Sequence, residues 1–260
     1  MPSETVSRIT TTRDGAIATV TFDNAARLNA LSFDMWSSLP EHLEVLDRDP
    51  EVRVIVLQGE GEKAFCSGSD ISQFGDRRST PEGTALYNNA VDLAVKAVGN
   101  VSKPTVARVR GYCFGGGAAV AIHCDLRYAA ANAVFCIPAA KVGLGYNPLW
   151  LQRLASLVGP AYAKEIMYTA QQYDVSASLR MGLINAELDD AETEKMLQKI
   201  AGLAPLTHAA SKVAIDSSCA PAGLDLARSK ISMDACFASA DYIEGRQAFS
   251  DKRKPVFTGR

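Results

Sequence analysis

The sequence predicts an α/β fold, with an α/β body over residues 1–190 and a helical region over residues 191–260. Three observations carry this reading. Apolar, β-branched runs of strand length recur through the first half, stretches of helical period lie between them, and the pattern after Asp190 is almost wholly helical. At 260 residues the chain fits one large core, or a core with a small appended unit, since cores stop growing near roughly 250–300 residues.

The elements follow in order. Residues 16–22, 52–59 and 105–111 read as strands ended by turn residues, and strand-like sequence starts by about Ser7. Between them, residues 32–46 place Phe33, Met35, Trp36, Leu39, Leu43 and Leu46 at near-helical spacing, and residues 81–98 do the same with Leu86, Val91, Leu93, Val95 and Val98. Residues 160–170 read as a helix, as do residues 176–181 ahead of Gly182, a C-cap candidate. The helical region from Ala191 to Phe249 breaks near Pro205 and Pro221. No internal repeat, low-complexity tract or long linker interrupts the chain.

Composition narrows the function classes. A hydrophobic fraction of 47%, a charged fraction of 22% and a net charge of -2 give no electrostatic footprint for nucleic acid. Six cysteines, Cys66, Cys113, Cys124, Cys136, Cys219 and Cys236, sit in apolar segments without a C-x-x-C pair, which predicts reduced thiols in a cytoplasmic protein and no zinc site. The first residues lack an apolar signal region, and no stretch approaches 18 uninterrupted apolar residues, so neither a signal peptide nor a membrane span is expected. No metal, nicotinamide or flavin signature is present.

The run from Gly115 to Asp125 is the richest in chemistry. Glycines at a helix start leave first-turn N–H groups unobstructed and without partners inside the helix, which suits an anion. A Gly-rich turn that lets a helix pack closely on a strand is the plainer alternative. Ser69-Asp70-Ile71-Ser72-Gln73 reads as a second helix start, with Asp70 as cap and Gln73 as its capping-box partner.

Four segments then point one way: residues 26–31 (ARLNAL), residues 63–71 (KAFCSGSDI), Lys103-Pro104 through the glycine run to Cys124-Asp125, and residues 242–255 from Tyr242-Ile243-Glu244-Gly245 to Lys252-Arg253-Lys254-Pro255. Together they resemble the crotonase family, also called the enoyl-CoA hydratase/isomerase superfamily, over essentially the whole chain. The resemblance implies a spiral of ββα units, a helical C-terminal trimerisation region, homotrimers or dimers of trimers, and acyl-CoA thioester substrates of fatty acid metabolism. Coenzyme A enters as part of the substrate, with no other cofactor. In such chemistry an enolate oxygen is held by donors fixed in advance. The family match assigns that oxyanion hole to the backbone N–H groups of Ser69 and Gly116. It also assigns the CoA moiety to Arg27, Leu28, Ala64, Ser67, Gly68 and Ile71, with Lys252, from this or a neighbouring subunit, near a phosphate. Phe249 is either core or ligand wall.

The chain departs from the hydratase pattern at the two glutamates that add water, which align with Ala119 and Ala139. A methyl group cannot move a proton, so the two-carboxylate mechanism is absent. A further acidic position of some family members falls on Asn147. His123 shares a helix face with Ala119 one turn on and reads as a core histidine; Lys141 reads as exposed, and His42 and His208 lack an identifiable partner. Tyr146 lies in a Gly-x-x-Tyr-Asn stretch similar to that of the methylmalonyl-CoA decarboxylase branch, where the tyrosine is in the active site, although that branch has histidine at the position of Ser69. A structural tyrosine closing the loop is the alternative. The expectation is an acyl-CoA enzyme working through an oxyanion-held enolate, as a lyase that decarboxylates a malonyl-type thioester. A hydratase or isomerase with non-standard residues and a non-catalytic acyl-CoA binder are the rivals.

Overall fold

The apolar runs legible in the sequence form the middle of a six-stranded sheet, ordered β1-β2-β3-β5-β7-β9. Its strands are β1 (Arg8–Asp14), β2 (Ile17–Asp23), β3 (Val54–Gly59), β5 (Thr105–Val109), β7 (Leu126–Ala129) and β9 (Ala186–Glu187). Only β1 and β2 pair antiparallel; the others are parallel, and Val56, Leu57, Val106 and Ala107 on both faces of the central strands are fully buried. A second sheet holds β4 (Ala64–Cys66), β6 (Tyr112–Phe114) and β8 (Val134–Cys136). In this computed structural model residues 7–77, 79–220 and 223–260 are described.

The two sheets grow together. β3 joins the large sheet and β4 the small one, then β5 and β6, then β7 and β8, with helices after each pair. This is the expected spiral of ββα units. The helices are α1 (Phe33–Arg48), α2 (Phe74–Arg77), α3 (Pro81–Asn100), α4 (Gly116–His123) and α5 (Pro148–Thr169). Ser32 caps α1 by accepting from Met35 N at 3.3 Å, and Met35, Trp36, Leu39, Leu43 and Leu46 bury the face that the spacing predicts. Pro81 sits in the first turn of α3, where its missing N–H costs nothing. α4 is buried on every side from Gly117 to Ile122 and carries no amphipathic stripe, as a central helix should not.

The helix expected from Pro160 is the second half of α5, which begins at Pro148 and bends at Gly159, φ 76°. Helix α6 (Val175–Arg180) has Met181 as its C-cap, and Gly182, the expected cap, follows one residue on at φ 78°, the left-handed position that glycine favours. The C-terminal region forms α7 (Asp190–Ala201), α8 (Pro205–Ser218), α9 (Leu226–Phe237) and α10 (Ala240–Ser250). The break expected at Pro221 lies outside the described residues. Among the described residues no helix is long and apolar enough to cross a membrane. After α10 the chain is held by carboxylates: Asp241 accepts from Thr258 N and Gly259 N, and Glu244 from Arg253 and Val256 N.

Candidate active site

The site is built where the small sheet meets the start of α4. Gly117, in the first turn, lies so close to β4 that a Cβ there would stand 2.3 Å from the Cys66 carbonyl oxygen. Glycine at 117 therefore sets how near the helix start comes to the segment that follows β4. Two residues on, Gly68 reaches Gly116: a Cβ on Gly68 would lie 3.3 Å from Gly116 N, and one on Gly116 would lie 3.7 Å from Gly68 Cα and 3.0 Å from Trp36 Cζ2. The closely packed helix start read from the glycine run is thus present.

Among the described residues, neither the Ser69 nor the Gly116 N–H has a hydrogen-bond partner at this junction. Leu31 N donates to Gly68 O at 2.8 Å, and Asp70 N donates to Leu31 O at 2.9 Å, which turns both flanking peptides of Ser69 toward Leu31. In a trans peptide the N–H lies opposite the carbonyl, so the Ser69 N–H is directed away from Leu31. Gly116 is the first residue of α4, whose N–H has no partner in the helix. Gly115 before it has φ 52° and ψ -115°, a conformation that a side chain would strain. Its N–H donates to Cys136 O at 2.9 Å, and its carbonyl accepts from Ala119 N at 3.0 Å and from the Tyr146 hydroxyl at 3.0 Å.

The two positions where the family's glutamates would stand are buried methyl groups. Ala119 is fully buried on α4, and Ala139 is buried in the turn Ala139–Lys141 that follows Pro138. His123 turns away from any proton-transfer role: Nδ1 lies 2.8 Å from the Ala119 carbonyl oxygen, and burial pulls its pKa down to about 4. It is a satisfied core histidine. Cys66 and Cys124 are buried thiols pushed up to about 12 by loss of solvent, and Cys113 is raised as well, so none is a nucleophile at neutral pH. Lys141 is exposed, as read.

Tyr146 packs edge-on against Trp150, with ring centroids 5.1 Å apart, and its hydroxyl proton is committed to Gly115. Burial raises its pKa strongly, which keeps it a neutral donor. Asn147 caps α5 by accepting from Leu149 N at 2.9 Å and donates to Asp92 Oδ1 at 2.9 Å. Asp92, half-buried on α3, is a carboxylate beside this loop that no sequence motif announces.

Of the residues assigned to CoA, Arg27, Leu28, Ser67 and Ile71 gather on one rim, with Ala64 and Gly68 buried beneath it. Ser67 N donates to Leu28 O at 3.0 Å and its hydroxyl to Arg27 O at 3.2 Å, which lays the Arg27–Leu28 turn beside Gly68 and Ser69. Leu28 and Asn29 both have left-handed backbones, held by the Asn29 amide donating to Ala64 O at 2.7 Å and Glu60 O at 2.9 Å. The Ala64 carbonyl is thereby occupied, while Ile71 is 75% exposed at the edge of the rim. Arg27 donates to Asp70 Oδ1 at 3.0 Å and also reaches the Ser72 hydroxyl. The capping box expected for Asp70 and Gln73 is not formed. Asp70 instead accepts from Ser72 N and Oγ, and the side-chain Oε1 of Gln73 accepts from Phe33 N at 2.9 Å, because the start of α1 offers an N–H without a partner in the helix within reach. Lys252 is exposed in the tail after α10, and that tail is tied through Phe257 O to Arg53, beside the start of β3. Phe249 is 89% exposed and belongs to no core.

Comparison with known proteins gives one answer. The family model described as enoyl-CoA hydratase/isomerase matches residues 12–260. A short-chain-enoyl-CoA hydratase of Clostridium acetobutylicum is 34% identical, covering 93% of this chain and 94% of the relative. A peroxisomal Delta(3,5)-Delta(2,4)-dienoyl-CoA isomerase of Arabidopsis thaliana is 31% identical over 98% of this chain and 97% of its own length. Among solved structures, an enoyl-CoA hydratase/carnithine racemase from Magnetospirillum magneticum superposes with a TM-score of 0.90 at 34% identity, covering 97% of this chain and 96% of that one.

Proposed function

Because the chain belongs to the enoyl-CoA hydratase/isomerase family, we propose that it is an enzyme of acyl-CoA thioesters whose Ser69 and Gly116 N–H groups bind the thioester oxygen. The observation that supports this reading is the Gly68–Gly116 approach, which brings two amides without partners among the described residues to the same junction. Donors fixed before the reaction stabilise an enolate oxygen without reorganising, and one such donor is worth a factor of roughly 10²–10³ in kcat. The rim of Arg27, Leu28, Ser67 and Ile71, with Ala64 and Gly68 beneath it, receives the CoA moiety, and Lys252 meets a CoA phosphate from a neighbouring subunit.

The reaction that best suits these residues is decarboxylation of a malonyl-type thioester. The bond from the α-carbon to the carboxylate breaks, its electron pair becomes the enolate, CO₂ leaves, and water supplies the proton that restores the α-carbon. No base is needed, which fits the alanines at 119 and 139 and the neutral His123. An apolar wall also spares the substrate carboxylate a repulsive neighbour. Purified protein given malonyl-CoA, methylmalonyl-CoA and crotonyl-CoA should release CO₂ from at least one malonyl thioester and hydrate crotonyl-CoA very slowly. No CO₂ from either, with crotonyl-CoA hydrated at an ordinary enzymatic rate, would overturn the reading.

A second reading rests on Asp92. Its carboxylate is tied to Asn147, the residue after Tyr146, and it supports hydration or isomerisation with Asp92 moving the proton. In that case Asp92→Asn removes hydratase or isomerase turnover and leaves acyl-CoA affinity in place. Binding without any turnover would favour the acyl-CoA binder. The expected trimer or dimer of trimers finds support in the exposed Leu226, Ile231, Phe237, Ile243 and Phe249 of α9 and α10, an apolar set that a lone subunit leaves in water. Sedimentation velocity tests it, and a monomer at micromolar concentration would contradict it.

A further inference from the structure

The carbonyl that Tyr146 holds and the amide assigned to the thioester oxygen are two ends of the same peptide group. Gly115 contributes the C=O and Gly116 the N–H. We propose that Tyr146 is a positioning residue for the oxyanion site, fixing and polarising the Gly115–Gly116 peptide through its hydroxyl. The inference rests on the assignment of the Gly116 N–H to the thioester oxygen.

Two effects follow from that bond. The first is orientation. Gly115 lies at φ 52° and ψ -115°, where neither helix nor sheet geometry dictates how the following peptide plane turns. The plane is pinned by Gly115 N on Cys136 O at 2.9 Å and by the tyrosine hydroxyl on Gly115 O at 3.0 Å. Because the peptide is planar, fixing the oxygen on one side fixes the direction of the N–H on the other. The second effect is electronic. A hydrogen bond accepted by a peptide oxygen draws density from nitrogen and makes the N–H a stronger donor, by roughly 10–30% per bond in a chain. Gly115 O accepts two such bonds, from Ala119 N and from Tyr146.

The tyrosine is itself held. Its ring stands edge-on to the buried Trp150, and the next residue is tied to α3 through Asp92 and to α5 through its cap on Leu149 N. Burial keeps the phenol protonated, so the donor does not vanish in the alkaline range where a free tyrosine ionises. A tyrosine serving only to close the loop would need the ring and not this direction of the hydroxyl.

The test reads the substrate carbonyl. Butyryl-CoA labelled with ¹³C at the thioester carbon has no carboxylate to lose, and isotope-edited infrared difference spectroscopy gives its carbonyl stretch when bound. In the wild type the stretch moves to lower frequency, because both amides draw on the oxygen. Tyr146→Phe should bind butyryl-CoA but give back roughly 5–15% of that displacement, since one of the two donors loses about 10–30% of its strength, and kcat on the true substrate should fall about 2- to 10-fold with KM unchanged. Replacing Tyr146 by 3-fluorotyrosine, a stronger donor on the same ring, should push the stretch further down, and this arm decides the matter if the phenylalanine variant folds poorly. A displaced stretch that is identical in wild type, Tyr146→Phe and the fluorotyrosine protein overturns the role of Tyr146 and leaves the oxyanion assignment standing. Failure of the wild type to bind, or an undisplaced stretch in it, overturns both.

Discussion

The two ends of α4 are treated in opposite ways. At the C-terminal end, Arg127 donates to Cys124 O at 2.7 Å, Ala121 O at 3.4 Å and Leu183 O at 2.7 Å, and Arg153 donates to Ile122 O at 3.0 Å. Two guanidinium groups thus satisfy the carbonyls that a helix end leaves over and set positive charge against the negative end of its dipole. Arg127 is buried deeply enough that its pKa is pulled down to about 10 by loss of solvent. At the N-terminal end no side chain caps Gly115 and no acidic residue stands in the first turn. Under the proposed function the contrast separates structural from functional demands on one short helix: the end that serves stability is closed, and the end proposed to bind the thioester is left open.

The comparison can be broken from either side. Arg127→Leu leaves several buried carbonyls without donors and should lower unfolding stability by roughly 3–5 kcal/mol in denaturant titrations. Arg127→Lys should recover only part, since one ammonium cannot span three carbonyls. At the open end, replacing the peptide N–H of residue 116 by an ester oxygen removes the donor and also weakens the Gly115 carbonyl that accepts from Ala119 N and Tyr146. It should cut turnover by about 10²–10³-fold with little loss of stability, and equal turnover would show that the open end is not used. Gly117→Ala attacks the packing that aligns the two amides, since its Cβ would stand 2.3 Å from Cys66 O. A stability loss of about 1–3 kcal/mol is expected, with a loss of acyl-CoA binding measured by calorimetry at matched folded concentration.

His123, at the closed end, gives the smallest effect and a pH signature. Its pKa is about 4 in the folded protein against 6.5 for the free group. The unfolded state therefore binds the proton first as pH falls, so its contribution is complete above pH 6.5 and is lost between pH 6.5 and 4. From pH 7 to 5 this amounts to about 2 kcal/mol. His123→Gln should flatten the stability profile in that window, and an unchanged slope would assign the acid sensitivity to other groups.

Legibility in the sequence followed the range of the interaction. β2, β3 and β5 were readable because central parallel strands are apolar on both faces, whereas β4, β6 and β8 span three residues each and no periodicity survives at that length. Their existence depends on pairing with one another across the chain. The helix starts at Ser32 and Pro81 are readable because caps and first-turn prolines are local, but the first half of α5 is not, because Gly159 and Pro160 mark a helix start in its middle. In the site, the glycines of α4 were visible, while the partner of Tyr146 was not: it is a backbone carbonyl, which has no letter. The role of Asp92 and the true partner of Gln73 are hidden for a similar reason, since Asn147 and Phe33 lie 55 and 40 residues away from them.

Whether the open end of α4 and the segment after β4 hold a thioester oxygen between them is decided by a crystal structure of the protein with butyryl-CoA. The thioester oxygen should lie about 2.7–3.1 Å from both Ser69 N and Gly116 N. A bound thioester whose carbonyl lies elsewhere, with either amide bonded to the protein instead, would contradict that placement.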